Sequence, residues 1–235
     1  MQSSRPLPPF DPRSIPVQGI DDHLGSVELY RLTPTAIRQR FASPPIWTPE
    51  HTVEKIFENR EPAAAAVLIP LVMREELMLL LTQRTTHLSS HSGQVAFPGG
   101  RTDATDIDAV DTALREATEE IGLPRDHVEV LGTLPIYVTG TAYSVTPVVA
   151  LVTPRFVLRP NPCEVADVFE VPLAYLMNPA NHRRHAVEFD GITREWLSMP
   201  YLDHSILQEN GQSPERFIWG ATAGMLRNLY RFLSA

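Results

Sequence analysis

The stretch from Gly93 to Leu123 constrains the fold most, because it predicts a helix with two chemically different sides. Apolar residues recur in it at the roughly 3.6-residue spacing of a helix face that is buried on a core. These residues are Val110, Ala113, Leu114, Ala117 and Ile121. Three carboxylates, Glu116, Glu119 and Glu120, stand at positions i, i+3 and i+4, so their side chains share one flank. The helix is therefore expected to be anchored on one side and acidic on the other.

Carboxylates at this spacing repel one another by roughly a few tenths of a kcal/mol, so a positive group is expected among them. Arg115 can pair with Glu119 one turn further on. Two acids remain, and hard divalent cations such as Mg²⁺ or Mn²⁺ prefer carboxylate oxygens. For an isolated cluster of this kind, a solvated surface helix is the alternative. Glu116 and Glu120 are both expected to lie off the buried face, so that neither is needed for folding.

The composition excludes several classes of protein. A chain of 235 residues with 43% hydrophobic content can bury the core of one domain with an extension. Its net charge of −8, with Lys55 as its single lysine, offers no basic surface to nucleic acid or to an anionic membrane. The single cysteine, Cys163, cannot form an internal disulfide and is expected to be a small buried residue in a reducing compartment. Since no signal peptide or membrane span is recognisable, we expect a cytoplasmic protein.

Strand and helix signals predict an α/β fold. The apolar run Ala63–Met73 is typical of a strand buried on both faces, Leu77–Arg84 is its expected partner, and Tyr143–Val152 is strongly β-branched. Further strands are expected at 93–97, 128–134, 136–138 and 164–171, a hairpin at 186–199 that turns at Asp190-Gly191, and helices at 34–41, 173–177 and 219–233. Pro98-Gly99-Gly100 is expected to be a turn that lets the backbone approach a ligand closely.

These elements predict an α/β sandwich around a mixed β-sheet. We expect it to occupy residues 61–235, behind a proline-rich N-terminal extension with a short helix at residues 1–60. Thr33 is expected to cap that helix, and Pro34 to be its first residue. The proline-rich arm and the edge strands are compatible with a homodimer.

Residues 100–123 resemble the Nudix box, whose pattern is G-x5-E-x7-R-E-U-x-E-E-x-G-U, with U an aliphatic residue. The residues in register are Arg115, Glu116, Glu119, Glu120, Gly122 and Leu123. One residue is inserted before Arg115, and Asp106 takes the place of the first glutamate. The resemblance implies a Nudix-type α/β/α sandwich and a site for Mg²⁺ or Mn²⁺ formed by Glu116, Glu119 and Glu120.

Residues 80–100, LLTQRTTHLSSHSGQVAFPGG, resemble the additional signature of the coenzyme A pyrophosphatase branch of Nudix proteins. Two positions differ: Thr85 replaces a serine or alanine, and Ser89 replaces an arginine. Segments 161–165 and 217–223 also resemble that branch. The resemblance implies hydrolysis of coenzyme A or an acyl-CoA to adenosine 3',5'-bisphosphate and (acyl-)4'-phosphopantetheine. ADP-ribose, dinucleotides and nucleoside triphosphates are alternative substrates, and a non-catalytic nucleotide-binding module is an alternative of another class.

The resemblance also implies roles for individual residues. A carboxylate must take the proton of the attacking water, and Glu119 or Glu120 is the first candidate, with Glu164 as the alternative. Arg115 is expected to orient the glutamates. The candidates for contact with a small nucleoside diphosphate derivative are Arg84, Gly99, Gly100 and Tyr143. His182 and His185 lack acidic or cysteine neighbours at metal spacing, so they are expected in a solvated loop.

Overall fold

The computed structural model describes residues 11–54, 61–86, 93–189, 192–208 and 211–235. Its helices are α1 (Pro34–Ala42), α2 (Ala109–Ile121), α3 (Leu173–Leu176) and α4 (Gly220–Ser234). Its strands are β1 (Gly19–Ile20), β2 (Ala63–Met73), β3 (Leu77–Arg84), β4 (Val95–Ala96), β5 (Gly99–Arg101), β6 (Val128–Thr133), β7 (Tyr137–Val138), β8 (Tyr143–Val152), β9 (Val165–Pro172), β10 (Arg183–Phe189), β11 (Ile192–Leu202) and β12 (Glu215–Trp219). Every helix in these ranges is too short or too polar to cross a membrane.

The larger sheet is mixed, and β2 lies at its centre. β2 runs parallel to β8 along nearly its whole length and antiparallel to β3 and β5. β6 and β7 pair with β8, while β4 and β9 pair with β3. Because both faces of β2 are covered, Leu68, Ile69 and Leu71 are fully buried, as its continuous apolar run predicts.

The smaller sheet is antiparallel, with the strand order β1-β10-β11-β12. The predicted hairpin is confirmed, since β10 and β11 pair along their length; its turn, Asp190-Gly191, lies outside the described residues. β12 pairs with β11 and leads directly into α4. The pairing of β1 and β12 with this hairpin was not predicted.

The mixed sheet separates two packing layers. On one face, Ala117 and Ile121 of α2 share a core cluster with Leu68. On the other face, Ile69 shares a cluster with Leu226 of α4 and with residues of the smaller sheet. The predicted α/β sandwich is confirmed, and α2 is the one helix of the described residues on the face that carries the acidic cluster.

The N-terminal segment packs onto this core. β1 pairs with β10, and Val27, Leu32 and Ile37 are buried in the same cluster as α4. Thr33 caps α1 by accepting the N–H of Ala36 at 3.3 Å, as predicted. The division of the chain at residue 60 stays a prediction.

Three local predictions are wrong. Pro98-Gly99-Gly100 does not form a free turn, because Gly99–Arg101 pairs with β2 as β5. Cys163 is exposed rather than buried. His182 and His185 are buried rather than solvated, because β10 and the residues before it are covered by the N-terminal segment and α4.

Candidate active site

α2 presents its acidic side chains from a helix whose two ends are fixed. Asp108 caps the N-terminus by accepting the N–H of Asp111 at 2.8 Å. Gly122 ends the helix in the left-handed region at φ 67°, where glycine is not strained. Ala117 and Ile121 hold the apolar side against the mixed sheet.

The three glutamates of α2 lie in different environments. The side chain of Glu116 is 16% exposed, that of Glu119 is 59% exposed, and that of Glu120 is 5% exposed. The prediction that Glu120 lies off the buried face is therefore wrong. Its carboxylate lies against β5, which packs on the helix at this point.

The two glycines of β5 bring main chain against these carboxylates. The N–H of Gly99 donates to Oε2 of Glu120 at 3.1 Å. A Cβ on Gly99 would lie 2.5 Å from the carbonyl oxygen of Ala66. A Cβ on Gly100 would lie 2.6 Å from Oε1 of Glu116. Gly99 therefore excludes a larger residue because the backbone of β2 stands in its way, whereas a larger residue at position 100 would displace the carboxylate of Glu116.

Arg115 is the centre of an ion-pair network between the acidic loop and α2. Its Nε donates to Oδ1 of Asp106 at 2.8 Å, and its Nη2 donates to Oδ2 at 3.0 Å. Its Nη1 lies 3.0 Å from Oε1 of Glu116 and 2.9 Å from Oε2 of Glu119. Nη2 also donates to the carbonyl oxygen of Arg101 at 3.1 Å. The predicted pair with Glu119 is confirmed, and the pair with Asp106 was not predicted.

Arg84, the last residue of β3, and Glu164, which directly precedes β9, both approach Glu120. Nη1 of Arg84 lies 3.5 Å from Oε1 of Glu120. The Nε of Arg84 is buried and has no hydrogen-bond partner among the described residues. Thr85 donates its N–H to the carbonyl oxygen of Glu164 at 3.0 Å, which joins the two approaching segments. A buried donor without an acceptor is costly unless a ligand or water satisfies it.

The pKa of the Glu120 carboxyl depends on its burial and on the groups around it. Burial raises the pKa of its carboxyl to about 7. The N–H of Gly99 and the charge of Arg84 lower this pKa, whereas the charges of Glu116 and Glu164 raise it further. Glu164 is thus close enough to the glutamates of α2 to repel their charges.

The donor set fits a hard divalent cation. Burial raises the pKa of Glu116 above its ordinary value; Arg115 lowers it, and the charges of Glu119 and Glu164 raise it. Within the described ranges, no three His, Cys, Asp or Glu side chains already converge on a point that could hold a metal ion. The fit therefore depends on the chemistry of the donors, since a divalent cation prefers carboxylate oxygens and would relieve their mutual repulsion.

Two further features define the surroundings of the cluster. A cavity of about 360 Å³ is lined by Arg101, Thr102, Asp103, Ala104, Arg115 and Glu116. Arg101 was not among the predicted site residues. Its position directly after the double glycine of the Nudix box could have indicated that it lies at the site.

Tyr143, at the start of β8, packs against the core cluster on the sheet face opposite α2. The structure therefore does not bring Tyr143 to the glutamates.

Comparison with known proteins places these residues in one family. The NUDIX domain model matches residues 62–190. A protein of Escherichia coli (strain K12), named "Uncharacterized Nudix hydrolase NudL", is 44% identical over 166 residues, which are 70% of this chain and 80% of that protein. Its namesake in Shigella flexneri is 43% identical over 175 residues, or 73% of this chain and 84% of that protein. Among solved structures, a binary complex of the C. elegans Ap4A hydrolase shares 20% identity with a TM-score of 0.41, over 50% of this chain and 85% of that chain.

Proposed function

This chain belongs to the Nudix hydrolase family, whose members hydrolyse phosphorus anhydrides, and we propose that its substrate is coenzyme A or an acyl-CoA. The proposed products are adenosine 3',5'-bisphosphate and (acyl-)4'-phosphopantetheine. The signature at residues 80–100 supports the choice of coenzyme A. A diphosphate substrate is supported by one observation above all: the buried Nε of Arg84, beside Glu120, lacks an acceptor among the described residues. A guanidinium is well suited to donate to phosphate oxygens.

We propose that Mg²⁺ or Mn²⁺ is held by Glu116, Glu119 and Glu120. When bound, the cation would neutralise the negative charge of the diphosphate and favour deprotonation of the attacking water. The chain's own residues orient the donors, because Arg115 contacts Glu116 and Glu119 while Gly99 donates to Glu120. Since neither Gly99 nor Gly100 carries a Cβ, the main chain of β5 can also approach the substrate.

The proton of the attacking water is proposed to pass to a carboxylate of this cluster. Glu119 and Glu120 are the first candidates: Glu119 is exposed and paired with Arg115, whereas Glu120 is buried. Glu164 is the alternative. Glu119→Gln, Glu120→Gln and Glu164→Gln separate these roles when turnover and Mn²⁺ affinity are measured on each. A residue whose loss abolishes turnover while Mn²⁺ affinity is retained acts as the base alone. A residue whose loss also weakens Mn²⁺ binding holds the metal.

A substrate panel tests the proposed function. The wild-type protein is assayed with Mg²⁺ and with Mn²⁺ on coenzyme A, acetyl-CoA, ADP-ribose, a dinucleotide and nucleoside triphosphates, and the products are identified by chromatography. We expect the highest kcat/KM for coenzyme A or acetyl-CoA. An ADP-ribose kcat/KM well above that for coenzyme A would overturn the proposed substrate. Binding without turnover of any compound, with either metal, would show a non-catalytic module.

A further inference from the structure

Arg216 on β12 joins the two sheets beside the candidate site. Only 5% of this residue is exposed. Its Nη1 donates to Oε1 of Gln83 at 3.1 Å, and its Nη2 lies 2.6 Å from Oδ2 of Asp167. Its Nε and Nη2 donate to Oδ2 of Asp203 at 3.1 and 3.0 Å. Since the guanidinium also lies 4.2 Å from the ring centroid of Phe169, its position and its plane are both fixed.

The residues that Arg216 holds stand next to an irregularity in the sheet. Gln83 of β3 and Asp167 of β9 are a ladder pair, and the register shifts immediately beyond them. The next pair is Arg84 with Val165, which leaves one extra residue on β9. A bulge of this kind bends its strand and redirects the side chains that follow. Arg216 therefore holds the last regular pair before the bulge, from both strands at once.

The groups beyond the bulge belong to the candidate site. Arg84 donates its N–H to the carbonyl oxygen of Gln94 at 2.9 Å, and its Nη1 lies 3.5 Å from Oε1 of Glu120. Thr85 donates its N–H to the carbonyl oxygen of Glu164 at 3.0 Å. The geometry of the bulge thus decides where Arg84 and Glu164 stand relative to Glu120.

We propose that Arg216 is a positioning residue of the active site, which fixes the bulge and thereby places Arg84 and Glu164. The kinetic part of this inference rests on the proposed function, whereas its structural part does not. A guanidinium buried between Asp167 and Asp203 carries a desolvation cost that an apolar contact between the sheets would avoid. Its directional hydrogen bonds fix orientation and register, which an apolar contact does not.

Arg216→Lys tests the proposal. Lysine keeps the charge but loses the planar fork, so it cannot reach Gln83 and the two aspartates in the same geometry. We expect kcat to fall by about 10- to 100-fold, because small displacements of reacting groups have effects of this size. The amide hydrogens of Arg84 and Thr85 should also exchange faster. Gln83→Ala, which removes one of the contacts, should change both readouts in the same direction and by less.

A second buried arginine is the matched control. Arg227 is 1% exposed and contacts Asp21, Glu50 and His182, none of which lies on β3 or β9. Arg227→Lys should lower the Tm but leave kcat, measured well below that Tm, and the exchange at Arg84 unchanged. The proposal is overturned if Arg227→Lys loses as much kcat as Arg216→Lys, or if Arg216→Lys leaves the exchange at Arg84 and Thr85 unchanged.

A double-mutant cycle shows whether Arg216 acts through Arg84. The effects of Arg84→Gln and Arg216→Lys on kcat/KM should be non-additive. Once the Arg84 guanidinium is removed, Arg216→Lys can no longer lower kcat/KM by misplacing it. Additive effects would contradict the proposal. The cycle uses whichever diphosphate the wild type hydrolyses. If the wild type hydrolyses none, the proposed function fails, and the comparison of hydrogen exchange alone decides the role of Arg216.

Discussion

Asp106 and Arg115 form a two-point ion pair, in which Nε donates to Oδ1 at 2.8 Å and Nη2 donates to Oδ2 at 3.0 Å. These hydrogen bonds hold the pKa of the Asp106 carboxyl far below its ordinary value, so the pair is charged at neutral pH. Asp106 stands where the family pattern has a glutamate, and one residue is inserted between it and Arg115. Aspartate has a shorter side chain than glutamate, and the loop is one residue longer. The carboxylate of Asp106 nevertheless reaches Arg115.

Asp106→Asn should lower kcat by about 10-fold or more, because Arg115 loses the one carboxylate that holds it at two points and then orients Glu116 and Glu119 less firmly. The fold should persist, since the amide still accepts one hydrogen bond. Turnover with Mg²⁺ and the Tm are measured together. Asp103→Asn is the matched control, because Asp103 is an exposed acid of the same loop whose side chain accepts from Thr105. Equal losses in both variants would show that the loop, not the ion pair, is responsible.

Gly99→Ala and Gly100→Ala should have different consequences although they are neighbours. A Cβ at Gly99 would meet the backbone of β2, which cannot move aside, so we expect a loss of about 1–3 kcal/mol in the free energy of unfolding. A Cβ at Gly100 would meet the carboxylate of Glu116, which can rotate away. Gly100→Ala should therefore cost less stability but lower kcat and weaken Mn²⁺ binding.

Urea unfolding and Mn²⁺ titration measure these two outcomes. Gly25→Ala is the control, because nothing lies within 4 Å of a Cβ at that position. A stable and fully active Gly99→Ala would contradict the packing of β5 against β2, and unchanged Mn²⁺ affinity in Gly100→Ala would contradict the role given to Glu116.

Sequence patterns predicted those strands and helices whose burial can be inferred from the arrangement of apolar residues within the element itself. The bounds of β2, β3 and β8 match the predicted strands Ala63–Met73, Leu77–Arg84 and Tyr143–Val152 residue for residue. Each is an apolar or β-branched run with turn residues at its ends, so local information was sufficient. The caps of α2 are local in the same sense, since Asp108 and Gly122 act on the backbone beside them.

Features that depend on distant segments were not predictable in this way. The burial of Glu120 depends on Gly99, which lies 21 residues earlier in the chain. The spacing of residues along α2 shows which of them share a side of the helix, but not which distant segment covers that side. The smaller sheet joins β1 to β10, where Arg184 pairs with Asp21 across 163 residues. A two-residue strand after a proline-rich arm has no period from which such pairing could be inferred. The homodimer and the cytoplasmic location stay predictions.

Glu120→Gln should make the metal-free protein more stable at alkaline pH. The folded pKa of about 7 lies above the ordinary value of 4.5, so the folded state binds more protons between these values. The contribution of Glu120 to the free energy of unfolding of the wild type is therefore fully present below pH 4.5, and it is lost as the pH rises through about 7. Glutamine cannot ionise, so the variant should lack a decline that amounts to at most about 3 kcal/mol.

Urea unfolding of both proteins in a chelator, at several values between about pH 5 and 8, measures this difference. Glu119→Gln is the control, because Glu119 is exposed on the same helix. If wild type and Glu120→Gln gave parallel profiles, the buried and largely uncompensated state of the Glu120 carboxylate would be refuted.

His182 should contribute a pH dependence of the opposite sign. Burial lowers the pKa of its imidazole to about 4; the carbonyl of Leu176 opposes this, and the charge of Arg227 reinforces it. The unfolded chain, with the ordinary value of 6.5, binds the proton more readily. The contribution is thus present above the ordinary pKa and is lost as the pH falls towards 4, by at most about 3 kcal/mol. His182→Gln keeps a donor and an acceptor but loses the buried ring, whose centroid lies 5.6 Å from that of Tyr230. The variant should therefore be less stable at neutral pH, and its stability should change less between about pH 6.5 and 4. Urea unfolding across that range checks this, with the exposed His23→Gln as the control that should retain the wild-type slope. An equally steep profile in His182→Gln would show that acid destabilisation arises from other groups.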